Sequence, residues 1–201
     1  MPGVAEIIVV DGGSRDATLT VARPLVDRVL VAARGRAAQM NAGAAVAVGD
    51  VLLFLHADTH LPTGWATVVR GALADPAVLS GRFDVRLDAT GLLYRAIGRL
   101  ISWRSRLTRV ASGDQALFVR RAVFERLGGY PPFPLMEDLA LSRALKRAGR
   151  VACLRETVVT SARRWRHRGV LRTVLLMWGL RLAYYAGVPP ERLARRYSDA
   201  R

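Results

Sequence analysis

The sequence predicts an α/β fold with a mostly parallel central sheet. Short apolar or β-branched runs alternate with helix-like segments along 201 residues, and 51% of these residues are hydrophobic, which is enough for one domain with a sizeable core. The runs at residues 6–10 and 51–55 each end at polar residues, as buried strands do. Since ligands bind at the carboxyl ends of strands in such folds, we expect Asp11 and Asp58 at that rim.

The N-terminal quarter predicts two strand-helix units and a third strand. Residues 6–10 predict the first strand, and Ser14 can cap a short helix after it. Residues 28–31 predict the second strand, and an alanine-rich helix follows over residues 36–48. Residues 51–55 show no polar alternation, which predicts a central strand covered on both faces.

The remaining segments continue the alternation. Residues 79–87 place apolar residues or glycine at odd positions, which predicts a strand covered on one face. Residues 137–148 begin with acids and end with bases before Gly149, as expected for a helix. The other predicted elements are helices over residues 62–74, 92–110 and 121–127 and a strand over residues 115–119.

The composition is strongly basic. The net charge is +15, and nearly all the positive charge comes from arginine, because Lys146 is the only lysine. Such a field favours anionic partners: nucleic acid, an anionic membrane surface or phosphorylated small molecules. The single cysteine, Cys153, excludes an intramolecular disulfide. Because the sequence has neither a 20-residue apolar stretch nor a signal-like start, we expect a cytoplasmic protein.

Four stretches contain residues suited to catalysis or binding. They are VVDGGSRDAT (9–18), FLHADTH (54–60), SGDQALFVRR (112–121) and MEDLALSRALKRAG (136–149). Each stretch also has a purely structural explanation, since Asp11 can satisfy a turn, Asp58 can cap a helix, and Glu137 with Asp138 can favour a helix start. Alternatively, His56, Asp58 and His60 could bind zinc, as in a metallohydrolase.

In this order, the four stretches resemble glycosyltransferase family 2, whose members share the Rossmann-like GT-A nucleotide-sugar fold. The resemblance extends from about residue 6 to residue 165. Within the family it is greatest to a small subgroup named for arsenosugar biosynthesis, a name that does not assign a substrate. The resemblance implies a metal-dependent, inverting transfer of a sugar from a nucleotide-sugar donor, expected to be UDP-linked, to a hydroxyl acceptor.

The resemblance also implies roles for individual residues. Asp58 would bind Mg²⁺ or Mn²⁺ at the donor diphosphate, and His56 occupies a position where the family commonly has another acid. Asp138 would be the catalytic base, and Glu137 would position the base or the acceptor. The implied donor-binding residues are Asp11, Gly12, Arg36, Asn41, Gly113, Asp114, Arg164 and Trp165.

The chain begins at what corresponds to the second strand of the family. Family members usually have a strand and a helix before it, and these help to hold the nucleotide base. Either the sequence starts too late or the chain is a fragment that lacks this strand. In the second case, we expect an unpaired strand edge and weaker donor binding.

Residues 169–201 are expected to form a helical extension after a catalytic domain of residues 1–168. Arg172 and Arg181 interrupt the apolar run at 169–187 on opposite faces of a helix, so the run is too short to span a membrane. We expect this helix to pack on the domain with its arginines reaching solvent. Together with residues 92–110, it could hold the protein against an anionic membrane surface, where a lipid-linked acceptor would be found.

Two other functions compete with the transferase. A basic module could bind nucleic acid, but the chain has no recognisable nucleic-acid motif, so nucleic acid is the less favoured partner. A catalytically impaired scaffold at a membrane is the second alternative. It is suggested by His56 in place of an acid and by the missing strand.

Overall fold

A computed structural model describes residues 6–199 of the chain. Strands and helices alternate along these residues, as predicted. The strands are β1 (Ile8–Asp11), β2 (Arg28–Val31), β3 (Val51–Phe54), β4 (Thr59–His60), β5 (Val78–Leu87), β6 (Leu117–Arg120) and β7 (Arg150–Thr160). The helices are α1 (Thr18–Ala22), α2 (Arg36–Val46), α3 (Trp65–Leu73), α4 (Leu92–Thr108), α5 (Arg121–Arg126), α6 (Glu137–Ala148), α7 (Arg163–Arg168), α8 (Val170–Tyr185) and α9 (Pro190–Asp199).

The strands form two sheets with mixed directions. β1 and β2 form a parallel pair, and the other strands form a five-stranded sheet in the order β3-β6-β5-β7-β4. In the larger sheet only β5 and β7 are parallel, while β6 runs antiparallel to both β3 and β5. The predicted α/β class is confirmed. The predicted mostly parallel sheet is partly correct, because β3, β5 and β7 run in one direction while β6 and β4 run in the other.

β3 lies at an edge of the larger sheet, not at its centre. Within residues 6–199 it is hydrogen-bonded to β6 alone, and Val51 and Leu55 at its two ends are exposed. Helix α2 lies over both sheets: the Gln39 side-chain amide donates to the Val10 carbonyl at 2.9 Å, and Ala37 packs in the core cluster that includes β3. The prediction that 51–55 is covered on both faces is therefore only partly correct.

β5 is buried on both faces, which corrects the prediction of a half-covered strand. Its polar positions are buried because their side chains find partners within the protein. Arg82 is 1% exposed; its guanidinium pairs with Asp84 and donates to the Ser102 carbonyl of α4 at 3.2 Å. The alternation along β5 therefore reflects a buried polar network beneath α4 rather than a solvent-facing side.

The C-terminal helices pack on the start of α6. Leu180 of α8 and Leu193 of α9 form one core cluster with Leu135, Met136 and Leu139. This agrees with the expectation of a helix packed on the rest of the chain, while the division at residue 168 remains a prediction. Among residues 6–199, every helix is too short or too polar to cross a bilayer.

Candidate active site

A cavity of about 710 Å³ lies beyond the end of β3, and α4, α6, α7 and α8 contribute to its walls. Three of the four stretches singled out in the sequence contribute to its polar lining. His56 and Asp58 follow β3, Gly113 and Asp114 precede β6, and Asp138 lies in the first turn of α6. The chain thus brings these residues together from positions more than 80 apart in sequence.

Asp138 is held in place by two backbone N–H groups. Its Oδ2 accepts from Gly113 N at 2.7 Å and its Oδ1 accepts from Leu139 N at 2.7 Å. Met136, which precedes the helix, has a φ of 70°, so the chain turns sharply just before the acid pair. The carboxylate lines the cavity in a fixed orientation, as a proton acceptor for a bound molecule requires.

Glu137 lies behind the cavity and pairs with Arg36. Its carboxylate is 2% exposed, and Oε1 lies 2.7 Å from Arg36 Nε. Burial and, secondly, the charge of Asp138 raise the pKa of Glu137, while Arg36 acts against this rise. Arg36 itself lines the cavity, so the pair connects α2 to the start of α6. Glu137 is therefore placed to orient its neighbour.

His56 packs directly against Gly113. A β-carbon on Gly113 would lie 2.8 Å from both Cε1 and Nε2 of His56, so only glycine fits without displacing the ring. Burial and, next, the charge of Arg36 lower the pKa of His56, which favours the neutral imidazole. Its buried Nε2 has no hydrogen-bond partner in the described part of the chain. A neutral ring with a free nitrogen can accept a proton or bind a metal ion.

Asp58 is exposed and lines the same cavity. The alternative that it caps a helix is wrong, because the next helix, α3, begins after Gly64 and has no side-chain cap. The zinc-hydrolase alternative also lacks a site. His60 belongs to β4 and does not line the cavity, and within residues 6–199 no three His, Cys, Asp or Glu side chains cluster as metal ligands.

The Asp58 carboxylate and the His56 imidazole nevertheless fit a divalent cation that takes its remaining ligands from elsewhere. Both line the cavity, and His56 Nε2 is a buried nitrogen without a partner. Carboxylate oxygen and imidazole nitrogen suit Mn²⁺, and carboxylate oxygen suits Mg²⁺. Further ligands would have to come from phosphate oxygens or water.

Asp11 and Gly12 lie outside this cavity. The Asp11 carboxylate accepts from the backbone N–H groups of Gly13 and Ser14 at 2.8 and 2.7 Å, and the Ser14 hydroxyl lowers its pKa. Gly12 lines a separate depression at the β1 edge, together with Gly13, Ser14, Arg15, Asp16 and Arg34. The structure therefore groups the first stretch apart from the other three.

Asn41 braces the fold. Its amide makes two hydrogen bonds to the Tyr130 backbone, at 2.8 and 2.9 Å, so its polar atoms are already used. Arg164 and Trp165 of α7 do line the cavity, and the Arg164 guanidinium lies 5.8 Å from the ring centre of Tyr197. Of the predicted donor residues, the structure thus places Arg36, Gly113, Asp114, Arg164 and Trp165 at the cavity.

Two cavity residues, Arg104 and Arg181, are not predicted as site residues from the sequence. Arg104 comes from α4 and Arg181 from α8, and the Nε atom of each is buried without a hydrogen-bond partner in the described residues. The expectation that Arg181 reaches out to solvent is wrong, because it faces the cavity. The available signal was its position on the helix face opposite Arg172.

The same fold is found in solved glycosyltransferase structures. S. aureus TarS matches with a TM-score of 0.59 and 15% identity over 78% of this chain and 51% of its own. The mannosyltransferase PcManGT from Pyrobaculum calidifontis, in complex with GDP-Man and Mn²⁺, matches with a TM-score of 0.55 and 22% identity over 77% and 47%. GalNAc-T7 with UDP, GalNAc and Mn²⁺ matches with a TM-score of 0.57 and 18% identity over 78% and 38%.

The chain spans about half the length of the solved TarS 1–349 chain and of the mannosyltransferase. At these identities the similarity establishes the GT-A fold alone. No curated protein matches the sequence. The family model for glycosyl transferase family 2 matches residues 2–127, which is more than half of the chain. The chain therefore belongs to glycosyl transferase family 2.

Proposed function

We propose that this chain is a metal-dependent, inverting glycosyltransferase that moves a sugar from a UDP-linked donor to a hydroxyl acceptor. The observation that carries the proposal is the cavity that joins His56 and Asp58, Gly113, and Asp138 from three separate stretches. A direct sugar transfer needs two side chains that bind the metal, a glycine that lets the donor come close to the backbone, and a fixed carboxylate.

The transfer is a single displacement at the anomeric carbon. The acceptor oxygen forms a bond to that carbon, while the bond from the carbon to the diphosphate oxygen breaks and its electron pair leaves with the nucleoside diphosphate. The acceptor's hydroxyl proton passes to the Asp138 carboxylate. Attack from the side opposite the leaving group inverts the anomeric configuration. Glu137, held by Arg36, keeps the first turn of α6 in position.

Asp58 and His56 are the residues that would hold the divalent metal. When bound, Mg²⁺ or Mn²⁺ neutralises charge on the diphosphate leaving group. Arg36 and Arg164 add positive charge to the same cavity, and arginine forks suit phosphate oxygens. The similar structures of the mannosyltransferase and GalNAc-T7 contain Mn²⁺, which supports this choice of ion.

The donor is proposed to be UDP-linked because similar structures contain UDP and UDP-GlcNAc. Gly12, which lines the separate depression, and its neighbour Asp11 are assigned to the nucleoside half. Asn41, whose amide binds the Tyr130 backbone, is assigned a supporting role. Gly113, Asp114 and Trp165 are assigned to the sugar half. The arsenosugar subgroup remains a prediction that assigns no substrate.

The division into a catalytic part, residues 1–168, and a helical extension, residues 169–201, is part of this proposal, although α8 also lines the cavity. A cytoplasmic location with peripheral attachment to an anionic membrane is proposed as well. It is supported by the net charge of +15 and by apolar side chains exposed on α4 and α8.

The direct test is hydrolysis of UDP-sugars, together with UDP binding by calorimetry, with and without Mn²⁺. We expect release of UDP from at least one UDP-sugar and UDP binding that requires the metal. If no UDP or GDP compound binds in the presence of Mn²⁺ or Mg²⁺ to a protein that melts cooperatively, the proposed function is wrong.

A further inference from the structure

The cavity that contains Asp138 has a second half with different chemistry. Helices α4 and α8 line it with apolar side chains, including those of Leu100, Trp103, Leu107 and Trp178. These four side chains are also more than half exposed to solvent. The cavity therefore opens between α4 and α8 across an apolar rim.

This rim continues along the outside of both helices. On α8, the exposed apolar residues recur at three- or four-residue intervals, which places them on one face. They are Leu171, Leu175, Trp178, Leu182 and Tyr185. On α4 the same spacing relates Leu100, Trp103 and Leu107. A nucleotide-sugar has no apolar chain, so the proposed donor does not account for this half of the cavity.

Two arginines from the helices that carry the apolar lining, α4 and α8, also line the cavity. Arg104 and Arg181 both line the cavity, and neither forms a salt bridge within residues 6–199. The nearest side-chain partner of Arg104 is the Ser112 hydroxyl, at 3.4 Å. Burial and, secondly, the charge of Arg181 lower the pKa of Arg104 to about 10. The charges of Asp114 and Asp138, which line the same cavity, act against this shift. The cavity thus holds two guanidinium groups whose buried Nε–H groups have no partner within residues 6–199.

An anion is the ligand that this pair lacks. A phosphate group offers several acceptor oxygens, and arginine binds it through paired N–H groups. Binding would satisfy the unused Nε–H groups and remove the repulsion between the two cations. Inorganic phosphate alone would leave the apolar half of the cavity without a ligand.

We propose that this half of the cavity binds the acceptor, and that the acceptor is an amphiphile with a phosphate group and an apolar chain. The phosphate lies between Arg104 and Arg181, and the chain leaves between α4 and α8. A hydroxyl near the phosphate then faces Asp138 in the same cavity. The identification of this ligand as the acceptor rests on the proposed function, which supplies the donor and the base.

The test measures binding of three small probes without any donor: octyl phosphate, octyl glucoside and inorganic phosphate. The two octyl compounds are used below their micelle concentrations. Three of the four tryptophans, Trp103, Trp165 and Trp178, line the cavity, so tryptophan fluorescence reports binding, and calorimetry gives the affinity. We expect octyl phosphate to bind at least tenfold more tightly than either other probe. Equal binding of octyl phosphate and octyl glucoside would overturn the proposal.

Arg104→Gln and Arg181→Gln test the anion site directly. Each should weaken octyl phosphate binding about tenfold and change octyl glucoside binding less than twofold. Arg99→Gln is the matched control, because Arg99 is exposed on α4 and does not line the cavity. If Arg99→Gln weakens octyl phosphate as much as the two cavity variants, the effect comes from the overall charge and the proposed site is wrong.

Binding of UDP with Mn²⁺ to the same wild-type sample separates the two proposals. Arginine-dependent binding of octyl phosphate without any UDP binding would retain the anion site and remove the proposed function. UDP binding without a preference for octyl phosphate would retain the transferase and remove the acceptor assignment. If a cavity variant does not fold, the comparison of probes on the wild-type protein still decides.

Discussion

Asp58 and His56 differ in how the fold holds them. His56 is buried against Gly113, while Asp58 is exposed in the cavity and serves no helix cap. Nothing in the local structure requires the Asp58 carboxylate, so its substitution should test function without disturbing the fold. The residue is therefore a sharper probe of the proposed metal site than its neighbour.

Asp58→Ala should abolish the Mn²⁺-dependent part of UDP binding, with a loss of at least tenfold in affinity, or about 1.4 kcal/mol. The reason is the loss of the carboxylate at the proposed metal position, and calorimetry with and without Mn²⁺ measures it. His60→Ala is the matched control, because His60 is exposed on β4 outside the cavity. Unchanged metal-dependent affinity in Asp58→Ala would contradict the metal role.

Asp138→Asn should retain donor binding but lower the transfer rate by about 10² to 10⁴, because the amide keeps the shape and cannot accept the proton. Single-turnover transfer and UDP binding measure the two effects separately. Asp50→Asn, at a fully exposed carboxylate, is the control and should behave as wild type. Transfer at the wild-type rate in Asp138→Asn would remove this residue from the mechanism.

Arg36→Gln should destabilise the protein more at neutral pH than at low pH. Burial and then Asp138 already raise the pKa of Glu137, and loss of Arg36 raises it further. A carboxyl with a raised pKa favours the folded state in its protonated form, and this stability is lost as the pH rises through the folded-state pKa. We expect a cost of about 1 to 3 kcal/mol at pH 7.5 and a smaller cost near pH 4.5.

Urea unfolding at both pH values measures this difference. The double variant Arg36→Gln/Glu137→Gln is the control, because without the carboxyl group the pH dependence should return to that of Glu137→Gln alone. A destabilisation that is the same at both pH values would mean that Arg36 acts through packing and not through the charge of Glu137.

Site residues that belong to a local sequence pattern could be predicted from the sequence. Site residues that reach the cavity only through packing of distant helices could not. His56, Asp58 and Asp138 lie at a strand end or a helix start, where the sequence pattern fixes the location. Arg104 and Arg181 lie within helices, and nothing local indicates that their side chains meet in a cavity. Asn41 was assigned a site role, although both its amide atoms bind the Tyr130 backbone.

At the level of elements, local sequence predicted most helices but not the order and direction of the strands. Helix α6 was found at its observed bounds because acids, bases and Gly149 mark its ends. β7 was missed because its residues, RVACLRETVVT, mix charges with β-branched residues and are mostly half-buried. The antiparallel pairing of β6 depends on contacts between distant segments, which no local pattern specifies.

The pair β1–β2 should be the least protected part of the two sheets. In the described residues β2 is the only strand that pairs with β1, and most residues of β1 are only half-buried. β5, by contrast, has a neighbour on each side and is almost wholly buried. We expect amides of β1 and β2 to exchange with deuterium at least tenfold faster than those of β5, since local opening costs less there.

Hydrogen exchange read by mass spectrometry on peptides from the two regions measures this. The short antiparallel strand β6, which is central and buried, is the internal control for strand length. Equal protection of β1 and β5 would mean that the two sheets open as one cooperative unit, and that the edge positions of β1 and β3 among the described residues do not weaken the fold.

At the level of the whole molecule, charge and exposed apolar surface occur together. The chain carries a net charge of +15, and α4 and α8 expose leucine and tryptophan side chains beside the cavity opening. Arginines attract anionic lipid, and apolar side chains enter the interface once the protein is close. A transferase with an amphiphilic acceptor would have better access to that acceptor when it is bound at the membrane surface.

We therefore expect flotation with anionic liposomes at low salt, release at high salt, and no flotation with neutral liposomes in either condition. Salt screens the attraction to the surface charge, so the salt dependence identifies its electrostatic part. Leu171→Glu/Leu175→Glu, on exposed positions of α8 outside the cavity, should reduce flotation at low salt, because it adds negative charge and removes apolar contacts. The control variant is Val21→Glu/Leu25→Glu, which adds the same charge at exposed apolar positions far along the chain from α4 and α8. It should float more than the α8 variant. Equal recovery of the protein in the soluble fraction, apart from the floated liposomes, in all four conditions would contradict membrane association.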